Sequence, residues 1–169
     1  MADPRGRLPI EPLAGSHDRS QFSSGAEELD HYLVQQATQD VRRHVAAVFV
    51  ARDGERVAGY YTLSASAVEL SALPEGIARR LPRYPVVPST LLGRLAVDRS
   101  WQGRGLGASL LIDALLRSLR NEIASYAVVV DARDEVTAAF YRHYGFVNLG
   151  QEGRRLFLPM ETVARLPPP

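Results

Sequence analysis

The sequence predicts an α/β fold built around a mixed sheet, and three observations lead there. Segments rich in β-branched and aromatic residues, joined by a tight turn, fill much of the first half. A wholly apolar run, Tyr126-Ala127-Val128-Val129-Val130, stands between two helical stretches, as a central parallel strand does. Just past the middle, a glycine-rich turn joins a strand to an amphipathic helix.

The elements follow in order. Leu8 to Leu13 reads as an opening strand, and Phe22 to Gly25 as a turn with Ser24 as N-cap. A helix follows from about Ala26 to Asp40, because Leu29, Tyr32, Leu33 and Gln36 recur at helical spacing. His44 to Ala51 is a strand, Asp53-Gly54 a hairpin turn, and Arg56 to Val68 the return strand. Pro74 to Leu81 reads as a short helix with proline at an allowed early position. Pro82, Pro85 and Pro88 make 82–88 an extended loop before the strand Leu91 to Val97. In the helix Gly107 to Glu122, Ala108, Leu111, Ile112, Leu115 and Leu119 share the face expected to be buried. Asp134 to Tyr144 is a second such helix, closed by Gly145 in a left-handed cap. Phe146 to Leu149 and Arg155 to Leu158 are the last strands, and residues 1–7 and 166–169 read as frayed ends.

At 169 residues the chain (1–169) fits one domain with one core. The absence of cysteine excludes a disulfide scaffold, a thiolate metal site and a cysteine nucleophile. The four histidines, His17, His31, His44 and His143, have no metal-site spacing, so no metal is expected. No apolar run reaches membrane length and the N-terminus lacks a signal core, so a cytoplasmic protein is expected. The net charge of +1 argues against nonspecific nucleic-acid binding by the whole surface. All 20 basic side chains are arginine, so every basic contact to an anion comes from a planar, permanently charged fork. Between residues 75 and 104, six arginines face two acids, a local excess suited to phosphates.

The strongest chemical signal is the turn Gln102-Gly103-Arg104-Gly105-Leu106-Gly107-Ala108. A helix start leaves backbone N–H groups without partners and carries the positive end of the macrodipole. Glycines there let an anion approach, so these amides can curl around a pyrophosphate, with Arg104 adding charge. The spacing and position do not fit a Rossmann fingerprint, and a Walker motif needs a lysine that this chain lacks.

Leu92-Gly93-Arg94-Leu95-Ala96-Val97-Asp98 followed by that turn resembles motif A of the GNAT acetyltransferase superfamily. Phe140-Tyr141-x-x-x-Gly145-Phe146, about 40 residues on, resembles its motif B. The resemblance implies acetyl-CoA as co-substrate. Its pantetheine arm would lie along Leu95, Ala96 and Val97, and its pyrophosphate on residues 102–108. The Val97 amide would polarise the acetyl carbonyl. Tyr141 would protonate the departing thiolate. Phe140 and Tyr144, four apart, are expected on the core face, with Tyr141 about 100° around the helix. Glu69 is a conceivable base through water.

The resemblance extends to one group of GNAT proteins, the TacT/AtaT-type toxins. It rests on Phe22-Ser23-Ser24-Gly25, Leu29-Asp30-His31-Tyr32-Leu33, Gly59-Tyr60-Tyr61-Thr62-Leu63, Leu81-Pro82-Arg83-Tyr84-Pro85, Leu92-Gly93-Arg94-Leu95-Ala96-Val97-Asp98 and Leu156-Phe157-Leu158-Pro159, and it covers nearly the whole chain. Ser24 departs from the cysteine often found there. The resemblance implies acetylation of the α-amino group of aminoacyl-tRNA, a homodimer, and a ribbon-helix-helix antitoxin as partner. Arg42, Arg43, Arg79, Arg80 and Arg83 are the candidate contacts to tRNA. Two rival readings stand beside it: a GNAT enzyme for a small amine or a protein N-terminus or lysine, and a non-catalytic CoA-binding or regulatory module.

Overall fold

The computed structural model describes residues 6–151 and 153–167, so the expectation of frayed ends falls outside the described residues at 1–5 and 168–169. Its strands are β1 (Ile10–Pro12), β2 (Ala47–Asp53), β3 (Arg56–Glu69), β4 (Val86–Val97), β5 (Ala127–Asp131), β6 (Val147–Asn148) and β7 (Arg155–Pro159). They hydrogen-bond in the order β1-β2-β3-β4-β5-β7-β6. The β4/β5 pair is parallel, while β1/β2, β2/β3, β5/β7 and β6/β7 are antiparallel. The sheet is mixed, as the sequence predicts. The helices are α1 (Glu27–His31), α2 (Ala37–Arg42), α3 (Glu75–Ala78), α4 (Leu106–Arg120), α5 (Glu135–His143) and α6 (Met160–Val163). Among the described residues no helix is long and apolar enough to cross a membrane.

The backbone forms two compact units. The first comprises residues Met1–Ser64 and Gly93–Ala114. Its core joins Phe22, Tyr32, Leu33, Val50, Tyr60 and Ala96. Tyr60 organises it: Phe22 meets its ring edge-on at 5.6 Å, and Tyr32 stacks on it at 6.2 Å. The helix predicted over 26–40 is present but not uniform. Between α1 and α2, residues Tyr32–Gln36 form a π-helical stretch, and the Ala37 amide donates to the Tyr32 carbonyl. Ser24 is not its N-cap; Ala26 is. The Ser24 hydroxyl and amide instead both donate to Asp30 Oδ1, at 2.6 and 2.9 Å. The first hairpin turns at Gly54-Glu55, one residue later than expected, with Gly54 at φ +63°.

The second unit comprises Ala65–Leu92 and Leu115–Pro169. Its core includes Val68, Leu73, Val87, Val129 and Phe157. The apolar strand β5 is buried from Ala127 to Val130, between β4 and β7. β4 starts at Val86, so Pro88 is a strand residue and not part of the predicted loop. Its position fits, because the Pro88 carbonyl accepts from the Tyr126 amide at 2.8 Å, a bond that needs no proline N–H.

Two predicted faces need correction. On α4 the buried stripe is Leu106, Leu110, Leu111, Ala114, Leu115 and Ser118. Ala108, Ile112 and Leu119 are only half-buried, so the expected face was rotated by about one residue. On α5 the buried positions are Ala138 and Tyr141. Phe140 and Tyr144, expected in the core, are half-buried and pack edge-on against each other at 5.2 Å.

Candidate functional site

In the first unit, β4 ends at Val97 and the chain passes through a single 3-10 turn, Arg99–Trp101, before α4. Gly103 and Gly105 take φ of +76° and +82°, conformations that cost an L-residue with a β-carbon free energy. A β-carbon at either would meet nothing within 4 Å, so the ground in front of the turn is open. The Ser109 amide donates to the Gly105 carbonyl at 3.1 Å. Among the described residues no carbonyl accepts from the amides of residues 103 to 108. Open space, left-handed glycines and unpaired amides at a 15-residue helix's start fit a diphosphate.

The sequence reading missed what holds this turn in place. Asp98 is 3% exposed. One carboxylate oxygen accepts from the Ser23 amide at 2.9 Å; the other accepts from the Ser100 amide at 3.0 Å and its hydroxyl at 2.6 Å. Burial pushes the Asp98 carboxyl up, but these hydrogen bonds, with the Arg56 charge, outweigh it and hold the pKa below the ordinary value. The Arg99 amide reciprocates by donating to the Ser23 carbonyl at 2.8 Å. Gln102 serves the same end. Its side-chain amide donates to the carbonyls of Ser24 at 2.8 Å and Val97 at 3.0 Å. The Arg104 guanidinium lies over the Trp101 ring, 3.8 Å from its centroid, and donates to the Ser100 carbonyl at 3.3 Å. A signal for Asp98 existed in the sequence: a carboxylate two residues before Ser100, where a hydroxyl and an amide can cap it.

The end of β4 has its own geometry. Its parallel ladder runs from Ser89 opposite Ala127 to Leu92 opposite Val130 and stops there. Leu95, Ala96 and Val97 lie beyond that register, with Ala96 buried and Leu95 and Val97 half-buried.

In the second unit, Asp134 caps α5 by accepting from the Thr137 amide at 2.7 Å. Gly145, at φ +96°, ends it as predicted. Tyr141 sits on the last turn, 5% exposed, with its ring against Phe140 and Phe146, each at 5.3 Å. The other buried tyrosine hydroxyls are all satisfied: Tyr32 donates to Asp40 at 2.8 Å, Tyr60 to the Leu29 carbonyl and Tyr61 to Asp113, both at 2.6 Å. The Tyr141 hydroxyl has no hydrogen-bond partner among the described residues. Among those residues, Ser89 Oγ is the fully enclosed side-chain polar atom left unbonded, so the Tyr141 oxygen reaches accessible space. Burial pushes the Tyr141 phenol up, which keeps it protonated, the form that donates.

The sequence profile of the acetyltransferase (GNAT) domain matches residues 44–148. The chain belongs to the GNAT family. This GNAT chain is 39% identical over 157 residues to a tRNA-acetylating toxin of Mycobacterium tuberculosis (strain ATCC 25618 / H37Rv), spanning 91% of this chain and 93% of the relative. Its backbone matches AtaT complexed with acetyl-methionyl-tRNAfMet at a TM-score of 0.87 and 32% identity, over 93% of this chain and 97% of that one. It also matches a mutant AtaT toxin bound to the C-terminus of the antitoxin AtaR and acetyl-CoA, with TM-score 0.78 and 29% identity over 93% and 96% of the two chains.

The remaining candidates of this GNAT chain are surface groups. Arg42 and Arg43 are exposed at the end of α2 in the first unit. Arg79, Arg80 and Arg83 are exposed on and after α3 in the second. Arg79 pairs with Glu75 at 3.0 Å, both ends in solvent, which offsets part of the local charge. Glu69 is exposed at the end of β3.

Proposed function

We propose that this GNAT acetyltransferase moves the acetyl group of acetyl-CoA to the α-amino group of aminoacyl-tRNA and so acts as a translation-blocking toxin. The observation that carries the reading is the Tyr141 hydroxyl, neutral and unbonded among the described residues where every other buried tyrosine is hydrogen-bonded. A protonated hydroxyl that no acceptor of the described residues engages, and that reaches accessible space, is free to donate to a departing group.

In this reading residues 1–169 work as one catalytic domain. The amides of Gly103 to Ala108 receive the diphosphate of the co-substrate, with Gln102 and Arg104 shaping the turn. Leu95, Ala96 and Val97 lend backbone groups to its pantetheine arm, and the Val97 amide steadies the oxygen of the attacked carbonyl. The neutral amine attacks the carbonyl carbon, the carbon–sulfur bond breaks, and Tyr141 gives its proton to the departing thiolate. The amine's surplus proton leaves to water. A free α-amino group has a pKa of about 7.7–8.0, so a substantial part is neutral near pH 7 and no strong base is required. Arg42, Arg43, Arg79, Arg80 and Arg83 contact tRNA phosphates. The toxin acts in the cytoplasm as a homodimer, neutralised by a ribbon-helix-helix antitoxin; the AtaT complex with AtaR supports an antitoxin partner.

Expression in cells that lack any antitoxin tests this directly. Growth arrest with N-acetylated aminoacyl-tRNA in the arrested cells is the expected result. Normal growth at good expression overturns it in favour of a small-amine acetyltransferase.

A further inference from the structure

One cation of the first unit is stacked on an aromatic ring and forms no ion pair among the described residues. Arg94 sits on β4, half-buried, its guanidinium carbon 3.5 Å from the centroid of the Tyr32 ring. Hydrogen bonds from Gln36 and Tyr32 outweigh burial and, with a smaller contribution from the Arg94 charge, hold the Asp40 carboxyl below its ordinary pKa. Asp40 is already engaged elsewhere: one oxygen accepts from Tyr32 at 2.8 Å, the other from Gln36 at 3.0 Å. Among the described residues Arg94 has neither an ion pair nor a hydrogen bond. Its guanidinium nitrogens are not enclosed, so its donors stay open to an incoming anion while the aromatic face holds the group in place.

The π-helical stretch explains how the arrangement is built. Tyr32 and Asp40 are eight residues apart, which on a regular α-helix leaves them about 80° out of line. A π turn holds more residues, so each step rotates less and Asp40 is carried back towards the Tyr32 face. Such stretches cluster at functional sites. Here it fixes the Tyr32 ring by its hydroxyl, and the ring in turn supports the guanidinium.

We infer that Arg94 is the docking residue for a phosphodiester at the 3′ end of the acyl acceptor. The inference rests on the aminoacyl-tRNA reading above and adds a site to it. A guanidinium supported on one face presents its edge, the geometry that meets two phosphate oxygens at once. Arg94 stands three residues before Val97 on the same strand, about 10 Å away. That is a fitting reach for a substrate whose amine lies one ribose and one ester beyond its terminal phosphate. Arg42 and Arg43, exposed at the end of the helix that carries Asp40, extend the positive surface towards the rest of the RNA.

The test uses the full chain, acetyl-CoA and an aminoacylated RNA that copies an acceptor stem and its single-stranded 3′ end. Arg94→Gln is expected to raise KM for the RNA at least about tenfold. The slope of log KM against log salt should shrink by about 0.7 to 0.9, the loss of one phosphate contact. KM for acetyl-CoA and the melting temperature should stay near wild type. A rise in KM for acetyl-CoA instead would assign Arg94 to a CoA phosphate, and no change in either KM would leave it structural; both overturn the inference. A second measurement needs no variant. Neutral methylphosphonates at the 3′-terminal linkages should weaken RNA binding to the wild-type protein by a similar factor, and undiminished binding overturns the inference even if Arg94→Gln fails to fold. Wild-type protein that acetylates no aminoacyl-RNA removes the functional reading and this inference with it. Wild-type transfer indifferent to both changes removes the inference alone.

Discussion

The carboxylate of Asp98 receives the backbone amide of Ser23, 75 residues earlier in the chain, at 2.9 Å. That bond, with those from Ser100, ties the segment before α1 to the turn that opens α4. Replacing Asp98 by Asn leaves an amide where two amides and a hydroxyl need an acceptor. A loss of about 1–3 kcal/mol in unfolding free energy is expected, with weaker acetyl-CoA binding, measurable by denaturant titration and calorimetry.

The same carboxylate sets a pH dependence. Its folded-state pKa is depressed, because hydrogen bonds from Ser100 and Ser23 outweigh desolvation. The stabilisation is therefore fully present above the unfolded value of about 3.9 and is lost as pH falls through the folded one. Asp98→Asn should flatten the fall in stability below about pH 4, and identical acid slopes for variant and wild type would contradict the assignment.

Gly103 and Gly105 supply a third prediction, because each has φ in the left-handed region and open space where a β-carbon would go. Alanine at either should cost about 1–2 kcal/mol through backbone conformation alone. The methyl group would also occupy the ground assigned to the diphosphate, so acetyl-CoA affinity should fall further than stability explains. Gly54→Ala is the control. Its φ is +63° and its surroundings are equally open, but it lies in the β2–β3 hairpin. It should lose stability and keep full affinity.

Much of this turn was legible in the sequence, because glycine spacing after a strand has few physical meanings. The strand β5 was equally plain, since four consecutive buried residues must come from an interior strand. The π-helical stretch was not legible: Leu29, Tyr32, Leu33 and Gln36 keep a helical spacing, and only the backbone hydrogen bond from the Ala37 amide to the Tyr32 carbonyl reveals the wider turn. The α5 face was misread for a related reason. Phe140 and Tyr144 are apolar and four apart, yet burial on a nine-residue helix was settled by what packs on it, and Phe146 draws Tyr141 inwards. Asp98 escaped notice because its partner Ser23 is distant in the chain.

Gly59 on β3 lies under α4 so closely that a β-carbon would come within 2.9 Å of Leu110 Cδ1 and 3.1 Å of the Ala96 carbonyl oxygen. Leu110 can turn aside, but the Ala96 carbonyl is backbone and holds its place. Gly59→Ala is therefore expected to cost about 1–3 kcal/mol by overpacking. Adding Leu110→Ala should not rescue it, because the carbonyl contact remains. Recovery in the double variant, read from denaturant midpoints, would show that the side chain alone sets the spacing.

Tyr141→Phe isolates one oxygen. The Phe140 and Phe146 ring contacts survive in the variant, and no hydrogen bond to the described residues is lost because the hydroxyl makes none with them. Stability should change by less than about 0.5 kcal/mol. If the hydroxyl delivers the proton to the departing thiolate, kcat should fall by about 10²–10⁴-fold while KM for acetyl-CoA holds. Burial raises the Tyr141 pKa, so the wild-type rate should show no loss from phenol ionisation until well above pH 10. A variant that keeps both turnover and toxicity would mean that the proton comes from elsewhere.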